Sequence, residues 1–426
     1  MLGPRGSTTH HATTRCDLPD ELTMRQTPVK PVPPRILPVI VVAQLAGASL
    51  WFAGNAVMPD LQRHAGLPLE ALGDMTTAVQ LGFIAGTLVF AFFGTADRYS
   101  PRRIFLACAL LGSAFNASTY LAGASLWPLL LLRFATGFFL AGIYPVGMKI
   151  ASGWFDRDLG KALGFLVGAL VLGTALPHLI RAIGHNLSWE SVVLSVSVIA
   201  ALGGLLMYAL VPDGPYLSAG ARFDPTAFAA IFRSPDFRAS SFGYFGHMWE
   251  LYALWAFVPA YVAAYAAGTP ADASSISLWS FLIIGAGAIG CMAGGLLSLR
   301  LGSARVAFVQ LGASGICCLL SPIAFWMPEP AVLVFLIFWG IVVVGDSPQF
   351  SALNARYAPS HLVGSALTIV NCIGFAITIV AIQLLNNAMA SVGAQYLFLL
   401  LIPGPILGLL ALLRLVRDRE AGSGAP

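Results

Sequence analysis

His247 and Glu250 stand three residues apart inside the apolar run Gly243-Tyr-Phe-Gly-His-Met-Trp-Glu-Leu-Tyr-Ala-Leu-Trp-Ala-Phe-Val-Pro259. On a helix that spacing puts both on one face. A buried carboxyl group holds a proton more readily than an exposed one, so the pair reads as a proton carrier, with a structural pair to His247 or Arg133 as the plainer alternative for Glu250. A second acid, Asp346, precedes a proline in Gly345-Asp-Ser-Pro348. Proline frees a backbone carbonyl and can kink a helix, so Asp346 either couples protons too or satisfies groups the kink releases. Two cations share this apolar setting. The fixed fork of donors on Arg133 suits a carboxylate or another oxyanion, while snorkelling to the interface is its alternative and the main reading for Lys149.

These four charges lie within hydrophobic stretches of a chain that has 23 Lys and Arg and 19 Asp and Glu in all. In lipid a central charge costs roughly 2.5–3.5 kcal/mol on insertion scales, so it persists where it faces protein or a wet path. Counted along the chain, they fall on the fourth, fourth, seventh and tenth stretches. Charges on every third helix imply that those helices surround a central cavity. The polar residues Asn55, Gln80, Gln349 and Asn371 are candidates to line the same path as substrate-binding groups, although each alone would equally serve a helix–helix hydrogen bond.

The elements that must hold these residues are read from hydropathy. The chain is 58% hydrophobic and 10% charged, with a mean hydropathy of +0.81, against about 25% charged in a soluble domain. Its solvent is therefore lipid. Runs of about 20 apolar residues, enough to cross a hydrocarbon core as helices, predict spans near Ile36–Met58, Leu72–Ala96, Ile104–Gly123, Pro128–Gly153, Ala162–Gly184 and Ser191–Val211. A second set follows near Ala239–Tyr265, Ile276–Leu299, Val306–Met327, Ala331–Leu353, Leu362–Asn387 and Tyr396–Leu415. The short alternating strands of a membrane barrel are absent. The fold class is thus an all-α membrane protein of twelve transmembrane helices, with a disordered cytoplasmic tail over 1–34, a six-helix bundle over 35–211, a cytoplasmic central loop over 212–238, a second six-helix bundle over 239–416 and a short tail over 417–426. Met24 is a second candidate start.

Basic residues crowd alternate breaks: the tail (Arg5, Arg15, Arg25, Lys30, Arg35), then Arg98, Arg102 and Arg103, then Arg157 and Lys161, then Arg222, Arg233 and Arg238, then Arg300 and Arg305, Arg356, and finally Arg414, Arg417 and Arg419. By the positive-inside rule both termini are cytoplasmic, and the location is the cell's inner (plasma) membrane. A net charge of +4 spread over loop arginines gives no nucleic-acid signal. The six cysteines, Cys16, Cys108, Cys291, Cys317, Cys318 and Cys372, show no metal spacing, and most read as small packing residues. No cofactor and no metal is expected; the expected partners are a small solute, protons and lipid, and the expected state is a monomer.

The halves echo each other. Arg98 and Arg103 recur as Arg300 and Arg305 at an offset of 202, and Gly142-Ile-Tyr-Pro145 recurs as Gly345-Asp-Ser-Pro348 at 203. A duplicated six-helix unit is a transporter signature, with the site between the halves near mid-membrane.

Here the chain, from about Arg35 to Arg419, resembles the major facilitator superfamily. The loop Phe93-Gly-Thr-Ala-Asp-Arg-Tyr-Ser-Pro-Arg-Arg103 is similar to that family's G-x-L-A-D-R-x-G-R-K/R signature, with its first glycine displaced to Gly94 and Ser100-Pro101 in place of Gly-Arg. The resemblance implies a cytoplasmic gate for Asp97, Arg98, Arg102 and Arg103; a plain topogenic loop is the alternative. The counterpart loop after the eighth span has Leu299 where the acid would be. Arg133-Phe-Ala-Thr-Gly137 is similar to the family's R-x-x-x-G motif, and Gly164, Gly168 and Gly173 with Pro177 loosely resemble its glycine–proline motif. The runs Gly246–Phe257 and Asp346–Ser351 look most like nitrate/nitrite and cyanate porters, although neither the second nor the eighth span has the internal arginine of the nitrate porters.

The implied function is proton-coupled secondary transport of a small polar, possibly anionic, solute by alternating access. A transporter-derived sensor or partner-binding membrane protein without flux is the alternative. An enzyme is not expected: His247 and Glu250 form H-x-x-E rather than H-E-x-x-H, and no G-x-S-x-G elbow occurs. No nucleotide-binding loop is present either.

Overall fold

A backbone inside a hydrocarbon layer has no water to bond, so it satisfies its N–H and C=O groups within helices. The computed structural model is accordingly helical, with no strand among the described residues. It describes residues 3, 32–122, 125–155, 159–184, 186–217, 223–267 and 273–422. Pro34–Pro426 forms one unit and Met1–Pro33 another; everything below concerns the former. The expected tail lies almost wholly outside the described residues, as do Cys16, Met24, Arg157 and Arg222.

Among the described residues ten helices are long and apolar enough to cross a membrane. The first and seventh predicted spans are the two others, and both are unusual. The first is broken into Ile36–Ala48, Ala53–Ala56 and Met58–Ala65. The seventh is one 32-residue helix, Pro235–Ala266, which carries His247 and Glu250. Its start is earlier than the hydropathy implies because Ser234 caps it, the Oγ accepting from Phe237 N–H at 3.3 Å with proline following. The central loop also holds a short helix, Ala227–Ile231. Just before it, Asp224 accepts from the hydroxyl and N–H of Thr226, which holds its carboxyl below the usual carboxylate range. The last helix, Pro403–Gly422, runs on into the expected tail.

The repeated motif turns out to be a helix break. The fourth span divides into Leu126–Leu140 and Tyr144–Trp154, the tenth into Glu329–Gly345 and Ser347–Tyr357, and each second segment has proline in its first turn. Proline is favoured there because it lacks an N–H where no intrahelical partner exists.

Close helix crossings position these broken spans. A Cβ on Gly137 of the fourth span would collide with the carbonyl of Val79 on the second, and one on Gly340 of the tenth with the carbonyl of Ile283 on the eighth. Gly137 and Gly340 again differ by 203, so both halves use one crossing, backbone against backbone. The halves meet along the fifth and eighth helices and along the second and eleventh.

Gly137→Val should therefore lower the melting temperature of the purified protein, by the equivalent of about 1–3 kcal/mol or more for an overpacked site. Gly164→Ala, where an added Cβ meets nothing within 4 Å, should leave it unchanged. Equal effects at both glycines would contradict the crossing.

Candidate functional site

A cavity of about 730 Å³ opens between the halves, on the face opposite the one where the first span begins. Its walls come from the first, second and fifth spans of one half and the seventh, eighth, eleventh and twelfth of the other. Asn55, Asp60, Arg63, His178 and Arg181 supply its polar N-terminal wall, while Pro259, Ala260 and Tyr261 represent the largely apolar C-terminal one. The volume suits a small solute.

Six aromatic rings pack between the halves close to this vestibule without lining it: Trp51, Phe52 and Phe83 from the first half, Tyr252, Trp255 and Phe375 from the second, each at most 3% exposed. They touch across the interface. Phe83 and Phe375 have ring centroids 4.5 Å apart, Trp51 lies 5.6 Å from both Tyr252 and Phe375, and Phe52 lies 6.4 Å from Tyr252 and 6.3 Å from Trp255. Packed rings fill the space between the halves there. Two donors in this aromatic layer, Gln80 Nε2 and Trp255 Nε1, are buried without an acceptor; Gln80 Oε1 is taken by Trp51 Nε1 at 3.3 Å, which fixes the amide's free end as the NH₂.

Arg133 takes no part in the vestibule wall. It is 1% exposed, lies inside its own half and does not reach the surface of the cavity. Its NH2 donates to the carbonyls of Leu50 at 3.1 Å and Trp51 at 2.6 Å, and its NH1 to Asn116 Oδ1 at 2.8 Å. Those two carbonyls are orphaned by the break in the first span, where Ser49–Phe52 are turns. The expected oxyanion ligand is a brace for that break.

The two acids occupy the other half. His247 Nδ1 lies 2.8 Å from Asp346 Oδ1, both residues fully buried, as an ion-pair contact whose angle leaves the atoms outside an aligned hydrogen bond. Asp346 sits at the tenth-span break, between Gly345 and Ser347. Glu250, also fully buried, accepts from Cys318 Sγ at 3.5 Å. Among the described residues no Lys or Arg pairs with either acid. Glu250, His247 and Asp346 are thus brought together, behind the vestibule rather than on its surface.

The four polar residues expected to line a path divide. Asn55 is on the vestibule wall, donating to Thr76 Oγ1 at 2.9 Å, and Gln80 is in the aromatic layer. Gln349 and Asn371 lie beyond that layer, toward the face bearing the first span's start; Asn371 Oδ1 accepts from Tyr244 Oη at 2.8 Å. The charged loop is tied into its own half. Asp97 pairs with Lys149 at the end of the fourth span, Arg102 lies 3.9 Å from Asp213 and over the Tyr208 ring, and Arg98 and Arg103 are exposed. Lys149 is thus the ion-pair partner of Asp97.

Sequence reasoning missed the mouth of the vestibule. Asp60 bonds Arg63 at 2.6 Å and Arg181 at 2.8 Å. It also missed Asp74, which accepts from Gln383 of the eleventh span at 3.2 Å. His178, a titratable group inside an apolar stretch, is the sequence signal that points there.

Comparison with known proteins now bears on this geometry. Residues 40–382 match the family model described as Major Facilitator Superfamily. The chain belongs to the Major Facilitator Superfamily. It is 28% identical over 185 residues to the uncharacterized transporter YgaY of Escherichia coli, a match that spans 42% of this chain and 45% of that relative's length. It is 24% identical over 297 residues to the probable sulfoacetate transporter SauU of Cupriavidus necator, covering 64% of this chain and 67% of that protein. Among solved structures, the proton:xylose symporter XylE bound to 6-bromo-6-deoxy-D-glucose superposes with a TM-score of 0.68 at 13% identity, over 90% of this chain and 96% of that one. That likeness establishes the fold.

Arg133→Met would strand two carbonyls and the Asn116 oxygen, each at a cost of about 1–3 kcal/mol. We expect a clear fall in melting temperature, with Arg133→Lys intermediate because an ammonium cannot span all three acceptors. Unchanged stability with lost cargo affinity would instead make Arg133 a ligand.

Proposed function

We propose that the protein is a secondary transporter of a small organic anion, driven by protons through alternating access, with the vestibule and the aromatic layer beside it as the cargo site. One observation carries the reading: the aromatic layer between the halves, next to the cavity, holds buried donors, Gln80 Nε2 and Trp255 Nε1, that lack acceptors. Leaving such groups unpaired costs about 1–3 kcal/mol each, and an acceptor-rich cargo supplies the missing partners. The relative named for sulfoacetate, a carboxylate with a sulfonate, supports the anionic class. Nitrate is not the proposed cargo, because no arginine stands inside the second span, and in the eighth Arg300 is confined to the last turn.

Proton coupling falls to the buried acids. Two carboxyl groups beside one imidazole make a site where a bound proton costs far less than a second buried ion. Glu250 is the carrier in this reading, His247 and Asp346 its partners. Asp346 stands at the break of the tenth span, so a change in its charge acts where that helix bends. With both termini cytoplasmic, as the positive-inside rule implies, the vestibule faces outward.

Proteoliposomes with an imposed acid-outside gradient test this reading, with sulfoacetate as probe and xylose as the uncharged control. Sulfoacetate should accumulate and xylose should not. Glu250→Gln should reduce gradient-driven uptake by about tenfold or more, as expected when the coupling group no longer titrates, while exchange of internal for external anion persists. Gradient-driven uptake that survives intact in Glu250→Gln removes Glu250 from the mechanism.

A further inference from the structure

Among the described residues lining the vestibule, His178 is the one that combines near-complete burial, at 2% exposure, with a side-chain nitrogen, Nε2, that has no hydrogen-bond partner. It stands on the fifth span three residues before Arg181, so both point from one helical face toward the cavity. Arg181 is held in place there. Its NH2 reaches Asp60 at 2.8 Å and its NH1 donates to the Leu187 carbonyl at 3.1 Å. Asp60 is shared with Arg63. Among the described residues lining the cavity the charged side chains are Asp60, Arg63 and Arg181, so two guanidinium groups stand over one carboxylate. That surplus positive charge at the mouth favours anions and steers them inward, and a guanidinium keeps donors to spare after two bonds.

We infer that His178 and Arg181 form an outer subsite that takes the carboxylate or sulfonate end of an incoming anion before it reaches the aromatic layer. The imidazole donates Nε2–H to one anionic oxygen, and the guanidinium, fixed by Asp60 and Leu187, supplies the field and a second donor. A neutral hydroxyl could accept the same imidazole bond, but it gains nothing from the surplus charge. The subsite rests on the anion-transport reading for its purpose, and on the cavity geometry alone for its existence.

The test is equilibrium binding to the purified full-length protein in detergent micelles at constant ionic strength. Sulfoacetate, acetate and inorganic sulfate are the probes and xylose is the uncharged control, followed by melting temperature and tryptophan fluorescence. Wild type should show a saturable response to at least one anion and none to xylose. H178F should bind that anion about tenfold more weakly, the loss of one hydrogen bond to a charged group, and H178Q, which keeps a donor, within about threefold of wild type. A second readout needs no variant: the bound anion should slow carbethoxylation of His178 by diethyl pyrocarbonate in the wild type, with exposed His64 as the internal reference. Wild-type affinity in H178F, no saturable anion response in the wild type, or equal carbethoxylation with and without anion overturns the subsite. Uptake measured in parallel judges the transport reading separately, since a subsite can bind without flux and flux can proceed without this subsite.

Discussion

Two hydrogen bonds from one guanidinium hold the backbone where the first span breaks, and the rings on either side of that break are placed by it. Unpaired backbone groups are not tolerated in a hydrocarbon layer, so a chain that leaves its helix at Ser49 and resumes it at Ala53 needs donors brought from elsewhere. Arg133 brings them from the fourth span. Because it bonds the carbonyls of Leu50 and Trp51, it also fixes the residues from which the Trp51 and Phe52 rings project. A buried arginine suits this better than a lysine: its donors are planar, rigid and permanently charged.

The duplicated unit is unequal at its most important places. Arg133 has Leu336 as its counterpart at the offset of 203, so the second half lacks the brace. Its tenth-span break has Asp346 instead, paired to His247 of a seventh span that stays helical throughout. One half is thus pinned by a charge that does not titrate, and the other is organised around groups that can. In the proposed cycle the first supplies a fixed wall and the second a movable one.

Much of the fold could be read before any coordinates, for a simple reason. Lipid demands long apolar helices, and hydropathy measures that demand directly; the spans lie within a few residues of the helices, except where the first runs on to Ala65, Ser234 and Pro235 start the seventh early and charged residues continue the twelfth. The two proline breaks showed as a repeated motif because each break needs the same local chemistry. The site was harder to read. An arginine in an apolar run has the same sequence signature whether it binds cargo or carbonyls, and only the position of the break in the first span, which no proline marks, separates the two. The aromatic layer was hidden because Trp51, Phe83, Tyr252 and Phe375 are ordinary apolar residues until four helices bring them face to face. Asp60 and Arg63 lay just past an expected span end, where charge is unremarkable.

The aromatic layer packs the halves together with rings and not with ions. Contacts between aromatic faces and edges are each worth about 0.5–1.5 kcal/mol beyond the area they bury, and they fade gradually as rings slip past one another, whereas an ion pair depends sharply on separation and on dissolved salt. A seam of this kind can be parted in small steps by a cargo that slides between its leaves, and changes in the salinity of the surroundings leave its grip the same.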